Sequence, residues 1–379
     1  MNAPRRICYV TGTRADFGLM RSTLQAIHRD DALSLSVMVT GMHLSPRYGM
    51  TVTEVEASGL PIAARIEVDV DPPTGLTMAT NIGRMLVGFA ERLSVDRPDL
   101  VLLLGDRGEM LAGALAALHL DIAIAHLHGG ERSGTVDEPV RHAISKLSHY
   151  HFVATEGARE RLVRMGEDPA RIRVTGAPGL DGFAGLARAD RATLSASLGF
   201  DAGRPIALMV FHPVLQEAQA GGAAAQAIVG ALRGSGVQVL ALMPNADAGS
   251  EPIRAVLEQR ARAGDIALAT HLPRDEFVAW MATVDLMVGN SSSGIIEAAS
   301  FGTPVVNVGS RQNLRERNVN VIDVDLDPGR LGRAIGAALG AGRLLAANVY
   351  GDGRAGERIV RLLRTIPLDL ASRTKVNAY

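Results

Sequence analysis

Short apolar runs alternate with stretches of helical periodicity almost from one end of this chain to the other, and that alternation limits the fold most. ICYVTGT, LSLSVMVTG, DLVLLLGD, IAIAHLHGG and YHFVAT read as buried strands in the first half. PIALMVFH, VQVLALMPN, DLMVGN and TPVVNVGS read the same way in the second. Between them, segments such as Leu19–Arg29, Thr77–Leu93 and Met110–Leu120 carry apolar residues at helical spacing. Strands that alternate with helices predict parallel sheets covered on both faces. With 379 residues there is room for about two such domains.

The Ala/Asp/Arg/Gly-rich stretch Asp181–Gly203 has no apolar run and reads as the junction. The expectation is an α/β fold of two doubly wound, Rossmann-like domains facing a cleft. Residues 1–185 form the first domain and 186–350 the second. Residues 351–379 form a terminal helix and tail that pack back on the first domain. In such sheets ligands bind at the carboxyl edges of the strands.

Composition excludes several function classes. A net charge of −1 argues against an electrostatic grip on nucleic acid or an anionic membrane. The single cysteine, Cys8, lies in an apolar run, which rules out an internal disulfide and a thiolate metal site. MNAPRR followed by the short run Ile7–Val10 fits neither a secretory leader nor a membrane span, so a cytosolic protein is expected.

Chemistry collects where predicted strands end. The first strand runs into Thr11-Gly-Thr-Arg-Ala-Asp-Phe-Gly18, a glycine-bearing loop able to bring backbone N–H groups and Arg14 to an anion. It matches neither GxGxxG nor a P-loop. Asp106 and Arg107 follow the strand LVLLL; a cap for the next helix, with Arg107 as salt-bridge partner, is the plain alternative. The stretch His126–His142 concentrates His126, His128, Glu131, Asp137, Glu138, Arg141 and His142, enough for acid, base and cation together. Its spacings match no zinc pattern, so no metal site is expected. In the second half, Phe211-His-Pro213 and Pro244-Asn-Ala-Asp247 end strands. Gly289-Asn-Ser-Ser-Ser-Gly-Ile-Ile-Glu297 places hydroxyls at a helix start predicted near Gly294, a phosphate cradle, with Glu297 about one turn in, suited to ribose hydroxyls.

TGTRADFG, GMHLSPRYG, GDR, HLHGGERSGTVDEPVRHAISKLSH, FHP, PNAD and GNSSSGIIEA occur in the order found in hydrolysing UDP-N-acetylglucosamine 2-epimerases, which the chain resembles from about Ile7 to Ile366. The GMHLSPRYG and HLHGGE wording is similar also to the branch acting on UDP-2,4-diacetamido-trideoxy sugars on the way to legionaminic acid. The resemblance implies a glycosyltransferase-B type fold, no cofactor, no metal, and a homo-oligomer (dimer or tetramer). It implies conversion of UDP-GlcNAc and water to N-acetylmannosamine and UDP, by elimination of UDP and hydration of a glycal. The same reaction on the diacetamido sugar, or a glycosyltransferase of this fold, are the alternatives.

Carried over by motif, Asp106 and Asp137 are acid/base candidates, with His128 and Glu131 beside them. Arg14, Arg107, Arg141, His212, Asn245, Ser291, Ser292, Glu297 and Arg311 are the substrate-binding candidates. Many family members carry a glutamate where this chain has His128; general acid/base chemistry and substrate contact are both open for that residue.

Overall fold

The computed structural model describes residues 3–378, apart from Gly134 and Ala218. Met1 and Asn2, Gly134 of the His126–His142 stretch, and Ala218 of an Ala/Gly-rich segment therefore lie outside the described residues.

Thirteen parallel strands among the described residues make two sheets. The first holds β1 (Arg5–Thr11), β2 (Leu33–Thr40), β3 (Ile62–Ile66), β4 (Leu100–Leu104), β5 (Ala123–Leu127), β6 (Tyr150–Val153) and β7 (Ile172–Val174), in the order β3-β2-β1-β4-β5-β6-β7. The second holds β8 (Ile206–Val210), β9 (Gln238–Leu242), β10 (Ala267–Ala269), β11 (Leu286–Gly289), β12 (Val305–Val308) and β13 (Val321–Val324), ordered β10-β9-β8-β11-β12-β13. Both are doubly wound, Rossmann-like sheets. The order reverses between β1 and β4, and again between β8 and β11, which makes those two strand ends the crevices for ligands.

All nine apolar runs read from the sequence are strands. The four strands that the apolar runs do not reveal, β3, β7, β10 and β13, are the four sheet edges. Their side chains are mostly half-buried or exposed, so no continuous apolar run marks them.

Each sheet is covered on both faces by apolar clusters. The C-terminal helix Ala355–Thr365 belongs to the first sheet's cover: Ile359 and Leu363 join Leu24, Ile27 and Leu33 in one cluster. Arg5 Nη1 donates to Leu363 O at 3.0 Å and Ile366 O at 2.6 Å, satisfying carbonyls that the helix end leaves open. The second-half backbone is also tightly constrained at one point. Gly289 has φ +140°, and a Cβ there would sit 2.1 Å from Val210 O, so only glycine lets β11 end against β8.

Candidate active site

The two sheets face a cleft of about 260 Å³, lined from both sides. Asp106, Arg107 and Asp137 reach it from the first sheet, and Asp247 and Arg311 from the second.

Asp106 sits in the bend after β4. It is not a helix cap: the next helix, Gly108–His119, starts after Arg107 and has no side-chain cap. Asp106 instead accepts a hydrogen bond from Nη2 of Arg141, which is 1% exposed. Arg141 Nη1 donates to Glu131 O at 2.9 Å and Ser133 Oγ at 3.3 Å. Burial, then the neighbouring Arg315 and Arg311, push this guanidinium well below its usual range. A guanidinium nevertheless keeps its proton, so Arg141 stands as a buried cation hydrogen-bonded to Asp106.

Arg107 does not pair with Asp106. Its Nε donates to Glu109 at 3.0 Å, and its Nη2 crosses the cleft to Asp247 at 3.3 Å. Burial opposes the charge, but Glu109 and Asp247 together raise Arg107 above its ordinary value. Asp137 opens the helix Asp137–Leu147, and its carboxylate lies 3.6 Å from Arg311 Nη2. Arg311 Nη1 also donates to Asn290 O at 3.2 Å, so this arginine joins the two edges.

His128 and Glu131 are not among the residues that line the cleft. His128 is 8% exposed, has φ +59°, and its Nδ1 meets Glu131 Oε1. The other Glu131 oxygen accepts from Arg315 of the second half. Burial opposes ionisation of Glu131, yet Arg315 and His128 hold its carboxyl down to about 2. A group ionised that firmly is a poor proton donor at neutral pH. Here the pair works as a tie between the halves.

Arg14 begins the helix Arg14–His28, and burial lowers it to about 10. The anion site expected of its loop is already filled. Asp16 accepts from Gly12 N at 3.2 Å and Thr13 N at 2.7 Å. Glu109 packs on Gly12, where a Cβ would lie 2.4 Å from its Oε1.

The second edge is different. Asn290 Oδ1 accepts from His212 N at 2.8 Å, and Asn290 Nδ2 donates to His212 O at 2.9 Å. His212 Nδ1 faces Asn245 N at 3.4 Å. Burial, then Arg311, lowers His212 to about 3, so it stays a neutral acceptor. Asn245 Nδ2 donates to Asp247 at 2.5 Å. Ser291 caps the helix Ser292–Ile296, with its Oγ 2.8 Å from Ser293 Oγ. That helix starts at Ser292, ahead of the expected Gly294, and is only five residues long. Glu297 is therefore its C-cap, buried, with one oxygen accepting from Arg274.

Arg315, Asp247, Glu109 and Arg274 escaped the sequence reading. Asp247 lies inside the quoted PNAD, and Arg315 in the charged run after β12, but no local pattern tells a bridging charge from a solvated one. Among the described residues, no group of three or more His, Cys, Asp or Glu is arranged to hold a metal, and no helix is long and apolar enough to cross a membrane.

The family described as UDP-N-acetylglucosamine 2-epimerase matches residues 25–364. The chain is 50% identical over 375 residues to a Legionella pneumophila protein named UDP-N,N'-diacetylbacillosamine 2-epimerase (hydrolyzing), covering 99% of this chain and 100% of that one. It is 35% identical over 350 residues to a UDP-N-acetylglucosamine 2-epimerase of Neisseria meningitidis, covering 92% and 91%. The crystal structure of UDP-GlcNAc 2-epimerase from Neisseria meningitidis bound to UDP-GlcNAc shares the fold, with TM-score 0.80 at 18% identity over 94% of this chain and 99% of that one. The chain belongs to the UDP-N-acetylglucosamine 2-epimerase family, and it is an enzyme of the hydrolysing UDP-sugar 2-epimerase kind.

Proposed function

We propose that the enzyme acts on a UDP-2,4-diacetamido-2,4,6-trideoxyhexose and releases UDP with the free sugar inverted at C2. The observation that carries this is the 50% identity, end to end, with the Legionella pneumophila protein of that named activity, against 35% for the UDP-N-acetylglucosamine enzyme. UDP-GlcNAc, the substrate first expected from the sequence, becomes the second reading.

In this reading Asp106 and Asp137 share the proton chemistry at the cleft. One carboxylate takes the C2 proton, the C1–O bond to UDP breaks, and a C1=C2 glycal forms. Water then adds its hydroxyl to C1 while a proton returns to C2 from the opposite face. The Asp106–Arg141 pair supports a standing base, and Arg107 and Arg311 beside the cleft suit the diphosphate leaving group. His212, Asn245, Ser291, Ser292 and Glu297 hold the nucleotide, and Arg14 adds positive potential near His212. His128 and Glu131, paired with Arg315, orient the loop that carries Asp137. The domain division at 185 and 350, a cytoplasmic location and a homo-oligomer complete the proposal.

The test is UDP release from the two purified UDP-sugars. The diacetamido sugar should show kcat/KM at least about tenfold higher, the size of discrimination that a methyl-sized contact supports. A preference for UDP-GlcNAc would sink the substrate assignment.

A further inference from the structure

The cleft has two walls of opposite chemistry. The charged wall is Asp106, Arg107, Asp137, Asp247 and Arg311. The other wall is apolar. The helix Gly75–Asp96 supplies Met78, Ile82 and Met85, and the start of the helix Asp137–Leu147 supplies Val136 and Val140. Positions 78, 82 and 85 share one helix face, as do 136 and 140.

The two walls adjoin. A Cβ on Gly108 would lie 2.8 Å from Ile82 Cγ1, so the apolar wall begins two residues past Asp106. It also touches the second half, where Met78 Sδ accepts from Ala248 N at 3.4 Å. Thr77, Asn81 and Thr135 interrupt it, and the two threonine hydroxyls have partners of their own, Thr77 Oγ1 with Thr74 Oγ1 at 2.9 Å and Thr135 Oγ1 with Asp137 N at 3.3 Å. Asn81 is 5% exposed and lines the cleft. Its Nδ2 donates to Asp69 O at 2.8 Å, which sets the amide orientation, and its Oδ1 is buried with no partner. A buried acceptor left in that state is costly unless a ligand donor meets it.

We infer that this wall selects the substrate by its C4 and C6 groups: Met78, Ile82, Met85, Val136 and Val140 receive the C6 methyl and the C4 acetamido methyl, and Asn81 Oδ1 accepts from the C4 acetamido N–H. The inference rests on the diacetamido reading above and adds the residues that enforce it. With C1 and C2 turned to Asp106, the far side of the sugar faces this wall. A C6 hydroxyl placed there gives up its water and finds apolar carbon, whereas a methyl fits without that loss. The single acceptor matches the single N–H of the C4 substituent.

The experiment compares kcat/KM for the diacetamido UDP-sugar and for UDP-GlcNAc in the wild-type enzyme and in Met78→Gln, Ile82→Thr, Val140→Thr and Asn81→Leu. UDP binding by calorimetry serves as the check on folding. Val140→Thr is nearly isosteric and serves where a bulkier change disturbs the fold. The diacetamido preference should fall at least about tenfold in each variant while UDP affinity holds. If the wild type prefers the diacetamido sugar and the folded variants keep its preference within about twofold, the wall is not the selector and only this inference falls. If the wild type prefers UDP-GlcNAc, the substrate reading fails and takes the inference with it.

Discussion

The two halves wind their sheets in the same order around the same kind of crevice, yet fill it in opposite ways. At the first sheet the protein's own carboxylates occupy the crevice: Asp16 takes the loop N–H groups and Glu109 closes on Gly12. At the second sheet it is bordered by a neutral histidine, amides and hydroxyls, with Arg311 alongside. One fold thus yields an edge rich in carboxylates and an edge of neutral donors and acceptors beside a cation, to which the proposed function assigns proton transfer and the diphosphate. The difference lies in side chains at strand ends, not in topology.

The largest expected effect separates those roles. Asp137→Asn keeps the shape of the side chain but cannot exchange protons as a carboxylate does. Turnover should fall by about 10²–10⁴-fold, the usual worth of a general acid or base, with UDP affinity little changed in calorimetry. An Asp137→Asn enzyme with full turnover would move proton chemistry off that loop.

The converse change belongs to the second edge. Glu297→Gln should weaken UDP binding by about 1–3 kcal/mol, as for a hydrogen bond to a charged group. Because Arg274 also uses this carboxylate, thermal unfolding without UDP shows how much of the change is structural. Unaltered UDP affinity in the folded variant would take the ribose away from Glu297.

The smallest effect is one of acid sensitivity. Burial first of all holds His43 at about 4, His126 at about 3 and His149 at about 4 in the first half, and His212 at about 3 in the second. Each is depressed from about 6.5, so the unfolded chain takes up protons that the folded chain refuses. Their contribution is complete above about pH 6.5 and shrinks as pH falls toward 4, by about 1.4 kcal/mol per pH unit for each group. His126→Gln should flatten the pH slope of unfolding free energy by about that one-group amount between pH 6 and 4.5. A slope as steep as the wild type's would show that His126 is not held neutral.

What was legible in the sequence follows the same division. Interior strands are buried on both faces and announce themselves as apolar runs; β3, β7, β10 and β13, exposed along one edge, do not. Asp106, Arg107 and Arg311 were named because they follow strand ends, and Asp137 through the family motif at a helix start; all four line the cleft. Partnership was not legible. That Arg141 serves Asp106, 35 residues away, or that Arg315 crosses to Glu131, 184 residues away, depends on how two sheets meet. The same holds for His128, whose motif position suggested the cleft and whose side chain instead turns to Glu131.

The most direct test of the division of labour is the reaction run in D₂O with the preferred UDP-sugar, followed by NMR of the released sugar. Elimination at the carboxylate-bearing edge breaks the C2–H bond, and the later proton at C2 comes from solvent or an exchangeable group. The expected product is the free C2-epimer with deuterium at C2, formed together with UDP. Released sugar that retains its original hydrogen at C2 would contradict elimination and the role given to the first half.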